Sequence, residues 1–528
     1  MRTAGWFVVW GLLLVTWACG IGRYGGPDEP AHVLRAHAVA HGDVLGAPAD
    51  PLPSGYRAVV VPRSIGTGDP ACYRHDSSLT SGCARPDGLD GPDGLGGTIG
   101  VATSAGVNPP LYYALVGVPP RLAGVSDQVV AYRLAAVGWV ALVLALACVR
   151  LRPFGRAAVV ALAAITPSAW YLFGVVNPNG LEVALVGLAW VEVARRLYSM
   201  PTRPSMPTRP SMPTRPWAAS VAWIAVPLTI AVAMRPIAFV AAIAIGLVLE
   251  SERSIDRRGR IALWAPIAVA TMSVLVWQRV VRWDGTDPRT ATDTAQWRSA
   301  LDAVGGLPRS AGELLGTLGW LEFTAPAIAR MAWLVVAGVV VWLVARGPGR
   351  LRSRTVGLWF GSLVAVPVVF EVAAADRIGP IWQGRYSLPV FVGGAALAVA
   401  SGCRPGRRAT PAIVALAALA EATTYVATVR RFSVGTSGSW LLDGAEHTTA
   451  GFAPRTWVVI HLALVLALVV WALLQLQHVP EHVDDDVGGA GVVEHVEASV
   501  GTELQVGLVG HGHAGSGVRH RGGRSAEA

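Results

Sequence analysis

From Trp6 to Leu474 the chain returns repeatedly to long apolar runs, each closed by a polar stretch. The runs at 6–21, 128–149, 157–176, 181–197, 217–234, 237–250, 261–281, 324–345, 355–375, 386–402, 411–429 and 456–475 predict helices. Crossing a bilayer core takes ~20 apolar residues, and most of these runs come near that length. The expected fold is an all-α integral membrane protein of about twelve transmembrane helices. The stretch from Trp217 to Glu250 is too long for one span. Arg235-Pro236 interrupts it, and a buried arginine at mid-bilayer is costly while proline ends the hydrogen-bond ladder. A tight hairpin with Arg235 at its tip is therefore expected.

Composition agrees. Of 528 residues, 53% are hydrophobic and 15% charged, too little charge to cover a soluble protein of this size. The net charge of +9 does not mark a nucleic-acid partner, because the arginines sit in short loops between apolar runs. The loop clusters are Arg150, Arg152 and Arg156; Arg195, Arg196, Arg203, Arg209 and Arg215; Arg253, Arg257, Arg258 and Arg260; Arg346, Arg350, Arg352 and Arg354; and Arg404, Arg407 and Arg408. All five fall on one side when the hairpin counts as two spans; counted as one, the last three switch sides. The positive-inside rule then gives a multi-pass protein of the cell membrane with a cytoplasmic N terminus and a cytoplasmic C-terminal tail. Trp17 and Cys19 suit an uncleaved first helix better than a signal-peptide cleavage site.

The membrane domain is expected over 1–477. Within it, 22–127 forms a large first extracytoplasmic loop, 200–216 a Pro-rich cytoplasmic linker repeating MPTRPS, and 282–323 a second large extracytoplasmic loop. The tail 478–528 is rich in Gly, His and acid. It reads as a disordered solubilising segment in preference to a metal site. Of the five cysteines, Cys72 and Cys83 share the first loop, where an oxidising exterior would allow a disulfide.

The distinctive polar residues gather on the extracytoplasmic side. Asp28 and Glu29 lie just past the first span, followed by a helix from Pro30 to about His41. One reading is a helix start, with Asp as cap and Pro at an early helical position. The other is a rigidly mounted carboxylate at the membrane surface. His37 and His41 have the i,i+4 spacing of metal ligands, but surface histidines are the better reading. Asn108-Pro109-Pro110-Leu111-Tyr112-Tyr113 opens an interfacial helix ending near Leu122, with its tyrosines at headgroup depth. Further outer motifs are Asn177-Pro178-Asn179-Gly180 with Glu182, the hairpin tip Arg235, Leu318-Gly319-Trp320-Leu321-Glu322, and Trp382-Gln383-Gly384-Arg385-Tyr386. Each arginine alone reads as a headgroup anchor. Their shared face is what suggests a site.

Pro27-Asp28-Glu29-Pro30-Ala31-His32, Asn108 to Tyr113, Asn177 to Gly180, Leu318-Gly319-Trp320 and Gln383 to Tyr386, in this order, resemble the bacterial membrane family called domain of unknown function 2142. The resemblance covers roughly Trp6 to Trp471. That family is similar to the GT-C glycosyltransferases, which take a sugar from a polyprenyl-phosphate carrier on the outer face. The resemblance implies a lipid-linked sugar donor, a glycan or lipid acceptor, and an acidic pair that falls here on Asp28 and Glu29. Asp28 is expected as the base that takes the acceptor proton, with Glu29 as helper or as ligand to a divalent metal. Arg385 and Arg235 suit the donor phosphate. His32, Tyr112, Asn177, Asn179, Gln383 and Tyr386 complete the expected substrate site. Trp320, Trp382 and Tyr386 are of the type that stacks on sugar faces or anchors at an interface. A multi-span transporter or flippase of envelope precursors and a non-catalytic envelope scaffold are the rival classes. A transporter would call for polar residues and broken helices at mid-membrane.

Overall fold

The structure is a computed structural model that describes residues 2–84, 97–199, 217–283, 296–347, 349–379, 381–445 and 451–477. The Pro-rich repeat at 200–216 and the tail at 478–528 lie outside the described residues. Residues Met1–Gln475 form one compact unit.

Helix α1 (Thr3–Gly20) leads through a turn into α2 (Glu29–Ala40). A small antiparallel sheet follows, of β1 (Ala47–Pro48), β2 (Arg57–Pro62) and β3 (Thr98–Thr103), with α3 (Arg63–Gly66) after β2. Val59 pairs with Val101 at the centre of the β2–β3 ladder, and α2 packs on both strands. Then come α4 (Leu111–Leu122), α5 (Val129–Leu151), α6 (Arg156–Ala163), α7 (Pro167–Phe173), α8 (Pro178–Ser199), α9 (Trp217–Met234), α10 (Ala238–Ser251), α11 (Arg257–Val280) and α12 (Gln296–Gly316). A short hairpin of β4 (Thr317–Leu318) and β5 (Phe323–Thr324) precedes α13 (Ala327–Arg346), α14 (Gly349–Ala374), α15 (Gly384–Phe391), α16 (Gly393–Ala400), α17 (Ala409–Val434) and α18 (Pro454–Gln477).

All twelve expected spans are helical. By length and composition, seven helices among the described residues can cross a membrane, or eight when the bent pair α6–α7 counts as one. Ser220–Met234, Ala238–Ser251 and Gly384–Ala400 are apolar but shorter. Helix α8 carries Glu182, Glu192, Arg195 and Arg196 within its length.

The bend between α6 and α7 is 77°, where one straight span over 157–176 was expected. Thr166 caps α7 by accepting from the Ala169 N–H at 3.1 Å, and Pro167 takes the first helical position. That pair starts a new helix inside an apolar run. The α9–α10 hairpin is as expected. Arg235 at its tip meets Glu182 at the start of α8, and Arg196 near the far end of α8 donates to the Ser254 carbonyl beyond α10.

Two expectations for the outer loops change. Tyr112 and Tyr113 of α4 are buried at 1% and 0% exposure, packed inside the protein and not facing outward as interfacial anchors. The segment 282–323 contains α12, whose Trp297, Leu301 and Val304 form an exposed apolar stripe at helical spacing.

A disulfide joins Cys72 and Cys83. It closes a segment whose Tyr73 hydroxyl donates to the Arg23 carbonyl. From the other side Arg431 of α17 donates to the carbonyls of Tyr73 at 2.9 Å and Asp76 at 3.2 Å. Closing a loop of this size stabilises by roughly 2–3 kcal/mol. Replacing both cysteines by alanine is expected to lower the thermal unfolding midpoint by several degrees. Reductant should move wild type by a similar amount and leave the variant unmoved.

Candidate active site at the turn between the first two helices

The turn from Ile21 to Asp28 has no ladder of its own, so its buried carbonyls need donors from elsewhere. Arg133 of α5 donates to Ala18 at 3.0 Å, Ile21 at 2.6 Å and Gly22 at 2.7 Å. Tyr73 takes the Arg23 carbonyl. The Trp320 indole N–H takes Tyr24 at 3.0 Å, the Tyr171 hydroxyl takes Gly25 at 2.6 Å, and the Asn177 amide takes Pro27 at 2.8 Å. Trp320 and Asn177, expected to touch substrate, thus spend those groups on holding the turn.

Glu29 is held the same way. Arg133 grips it with two prongs, Nε to Oε1 at 2.7 Å and Nη2 to Oε2 at 2.6 Å. Glu29 also accepts from the Val176 N–H at 3.0 Å and the Gly26 N–H at 3.1 Å, and it is fully buried. Both Glu29 oxygens are thus engaged inside the protein, which leaves neither free for the expected part of catalytic helper or metal ligand. Among the described residues no three His, Cys, Asp or Glu side chains converge as metal ligands, His37 and His41 included. The charged neighbours of Asp28 are arginines, which do not fit a divalent cation.

Asp28 has the opposite fate. It occupies the N-cap position of α2 with left-handed backbone, φ 60° and ψ 9°, but its side chain makes no capping bond. Aspartate is one of the few residues that tolerate this geometry. The carboxylate turns outward instead and accepts from Arg385 Nη2 at 2.7 Å, with the Asp28 side chain 49% exposed and that of Arg385 9%. Burial pushes the Asp28 carboxyl up. Arg385, His32 and Arg235 outweigh it and hold the group below its ordinary 3.8. His32 sits one turn on, with Nδ1 2.9 Å from the Tyr113 hydroxyl, to which the Asn108 amide donates at 3.0 Å. Burial above all drives His32 down to about 3, against the pull of Asp28 and with the help of Arg235 and Arg385. The ring is neutral near pH 7.

Arg385 reaches Asp28 because of the glycine before it. A Cβ at Gly384 would lie 2.2 Å from the Ser310 carbonyl oxygen and 2.6 Å from the Leu314 nitrogen, so only glycine lets α15 start against α12. The Gly384 N–H is capped by Glu313 of α12 at 2.7 Å. Arg235 is held by Glu182 at 3.1 Å. The Tyr386 ring lies under both cations, 4.8 Å from the Arg235 guanidinium and 5.2 Å from that of Arg385. Nε and Nη1 of Arg385 are buried without a hydrogen-bond partner, as are Gln383 Oε1 and Asn179 Nδ2. The cluster therefore holds an open carboxylate beside cationic donors that the protein itself does not use. Tyr112 stands behind it, edge-on to Tyr113 at 5.4 Å.

An apolar groove of about 480 Å³ lies between α4, α5, α8 and α9. Leu111, Leu181 and Ile230 wall one end of it and Leu146, Leu188 and Trp223 the other. The first end is the one next to Tyr112, Glu182 and Arg235 in sequence. Deeper in the helices, Glu421 accepts from the Trp17 indole at 2.9 Å and pairs with His461 at 3.0 Å, and the other His461 nitrogen bonds Thr16 at 2.7 Å. That polar cluster is satisfied within itself.

Sequence reasoning missed Arg133, Tyr171, Tyr73 and Glu313. An arginine near the start of an apolar run reads as an interface anchor, and lone tyrosines carry no local signal.

The helices and this cluster define a multi-span membrane protein with a charged site built on the turn after its first helix. The chain belongs to the family described as predicted membrane protein (DUF2142), whose profile matches residues 12–393. No curated protein matches it in sequence. Among solved structures it is similar to ArnT from Cupriavidus metallidurans in the apo state, at 14% identity and TM-score 0.44, over 90% of this chain and 72% of that one.

Two outcomes follow from this geometry. Arg133→Met leaves Glu29 charged and buried, and is expected to cost about 3–5 kcal/mol, seen as loss of folded protein in a thermal unfolding assay. The Arg133→Met, Glu29→Gln double variant should recover much of that loss; equal losses would separate the two residues. Glu322 is pushed up to about 7 by burial, against Arg431 at 3.3 Å. The native state then binds more protons than the unfolded one between about pH 4.5 and 7, so stability falls as pH rises through that window. Glu322→Gln should remove this slope, worth at most about 3 kcal/mol.

Proposed function

We propose that the protein is an inverting glycosyltransferase that moves a sugar from a polyprenyl-phosphate carrier to an envelope glycan or lipid, on the extracytoplasmic face of the cell membrane. The observation that carries this reading is the half-open Asp28 carboxylate, fixed in a left-handed turn and held by a guanidinium with donors to spare. The adjoining apolar groove supports it, because a lipid tail can lie there with its phosphate near Arg235 and Arg385. The N terminus and tail lie in the cytoplasm on this reading, as the arginine loops favour.

In the reaction the acceptor hydroxyl oxygen attacks the anomeric carbon, and the bond from that carbon to the phosphate oxygen breaks. The hydroxyl proton passes to Asp28. Polyprenyl phosphate leaves with the bonding electrons, and Arg385 and Arg235 stabilise its charge. Arg385 has a second use. When the donor phosphate takes its guanidinium, Asp28 loses its ion-pair partner and gains a negative neighbour, so its pKa rises toward that of a useful base. Tyr386, between the two cations, keeps them apart and aligned.

Asp28→Asn is expected to lower transfer by about 10²–10⁴ while the protein still inserts and unfolds normally. Lipid-linked sugar profiling of a strain carrying only this variant should show the donor accumulating, as in a strain lacking the protein. Wild-type turnover by the variant would falsify the role of Asp28. Because Arg385 holds Asp28 below its ordinary range and burial drives His32 down to about 3 in the free protein, kcat/KM should show no acid-side loss from either near neutral pH.

A further inference from the structure

Arg35 lies on α2 seven residues beyond Asp28 and one turn beyond His32, along the side that faces α4. It is fully buried, and Nε, Nη1 and Nη2 all lack a hydrogen-bond partner. A guanidinium has five N–H donors and no acceptor. Its contacts are aromatic faces, with Tyr113 at 5.9 Å and Trp277 of α11 at 5.4 Å from the guanidinium carbon. The Trp277 indole N–H is also buried and unpartnered. Tyr113 and then Asp43 favour the Arg35 cation and Arg57 opposes it, while Arg282 in turn acts on Arg57. Among the described residues no carboxylate pairs with Arg35. Two cation–π contacts do not offset the burial of a charge with every donor unmade. Such a group is expected where an anion arrives during function.

We propose that Arg35 and the Trp277 indole N–H form a second oxyanion site that recognises a carboxylate or phosphate on the acceptor. Seven helical residues at 1.5 Å each set it about 10 Å from Asp28. That spacing places the recognised anion beyond the sugar being transferred, on the molecule whose hydroxyl meets Asp28. The word acceptor rests on the reading of Asp28 given above; the anion site does not. Trp277 is half-buried while Arg35 is fully buried, so on this proposal the anion reaches Arg35 past the Trp277 ring.

The test uses the full chain in nanodiscs of uncharged lipid and follows thermal unfolding. Inorganic phosphate and glucuronate are the probes, and glucose is the neutral control. Wild type is expected to gain roughly 2 °C or more with at least one anion and nothing with glucose. Phosphate alone acting would assign a phosphorylated acceptor, and glucuronate alone an acidic sugar. Arg385→Met, which removes the phosphate site proposed above, is the parent for the comparison and should still show an anion shift, so failure of the catalytic reading leaves this site standing. Adding Arg35→Met to that parent should abolish the shift, while Arg35→Met alone unfolds no lower than wild type when ligand-free, since it removes an uncompensated charge. The proposal is overturned if the Arg35→Met, Arg385→Met double variant retains the anion shift, if no anion moves the Arg385→Met parent, or if ligand-free Arg35→Met unfolds earlier than wild type. The last result would mean that Arg35 is already compensated within the fold.

Discussion

The buried pair of Arg133 and Glu29 is the constraint on which the site depends. Two opposite charges out of water rarely stabilise a protein by themselves, since desolvation takes back what attraction gives. Here the arrangement is complete. Arg133 serves three carbonyls at the end of α1 as well as Glu29, and Glu29 accepts two backbone N–H groups besides. What the pair confers is position. It ties the end of α1, the first turn of α2, the body of α5 and the strand of chain before α8 into one object, and Asp28 is mounted on that object.

This explains how two adjacent acids come to differ. In a helix start, neighbouring residues point in different directions, and the left-handed backbone at Asp28 sharpens the divergence. Glu29 turns toward Arg133 and becomes part of the frame. Asp28 turns toward Arg385 and stays reachable. The frame is reinforced from several elements at once, because Tyr73, Trp320, Tyr171 and Asn177 each take one carbonyl of the same turn. Strain at a single residue persists when its surroundings are fixed this firmly.

Much of the fold was legible in the sequence. Apolar length located the long helices other than α12, and Arg235-Pro236 located the hairpin. Hydropathy missed the bend at Thr166-Pro167, which is written in capping chemistry and not in apolar content. It also missed α12, whose apolar residues cover only one face. At the candidate site, the motifs pointed to the turn where the charged residues gather but blurred the differences among them. Asp28, His32, Arg235, Arg385 and Tyr386 do come together. Trp320 and Asn177 looked like ligand contacts and serve as struts, because the need to satisfy a distant carbonyl leaves no trace in local sequence. Arg133 and Arg35 look alike on paper, each an arginine near apolar residues. Only the folded arrangement shows one fully bonded and the other not bonded at all.

The groove between α4, α5, α8 and α9 is walled by leucine, valine, alanine, proline, isoleucine and tryptophan side chains. A tail that fits such a surface has no reason to leave the bilayer on its way in. Its encounter with the protein is then a sideways search in two dimensions, governed by mole fraction among the surrounding lipids. On the proposed reading, diluting a lipid-linked donor with inert lipid should slow occupancy even when its amount per millilitre is unchanged, whereas adding water should not.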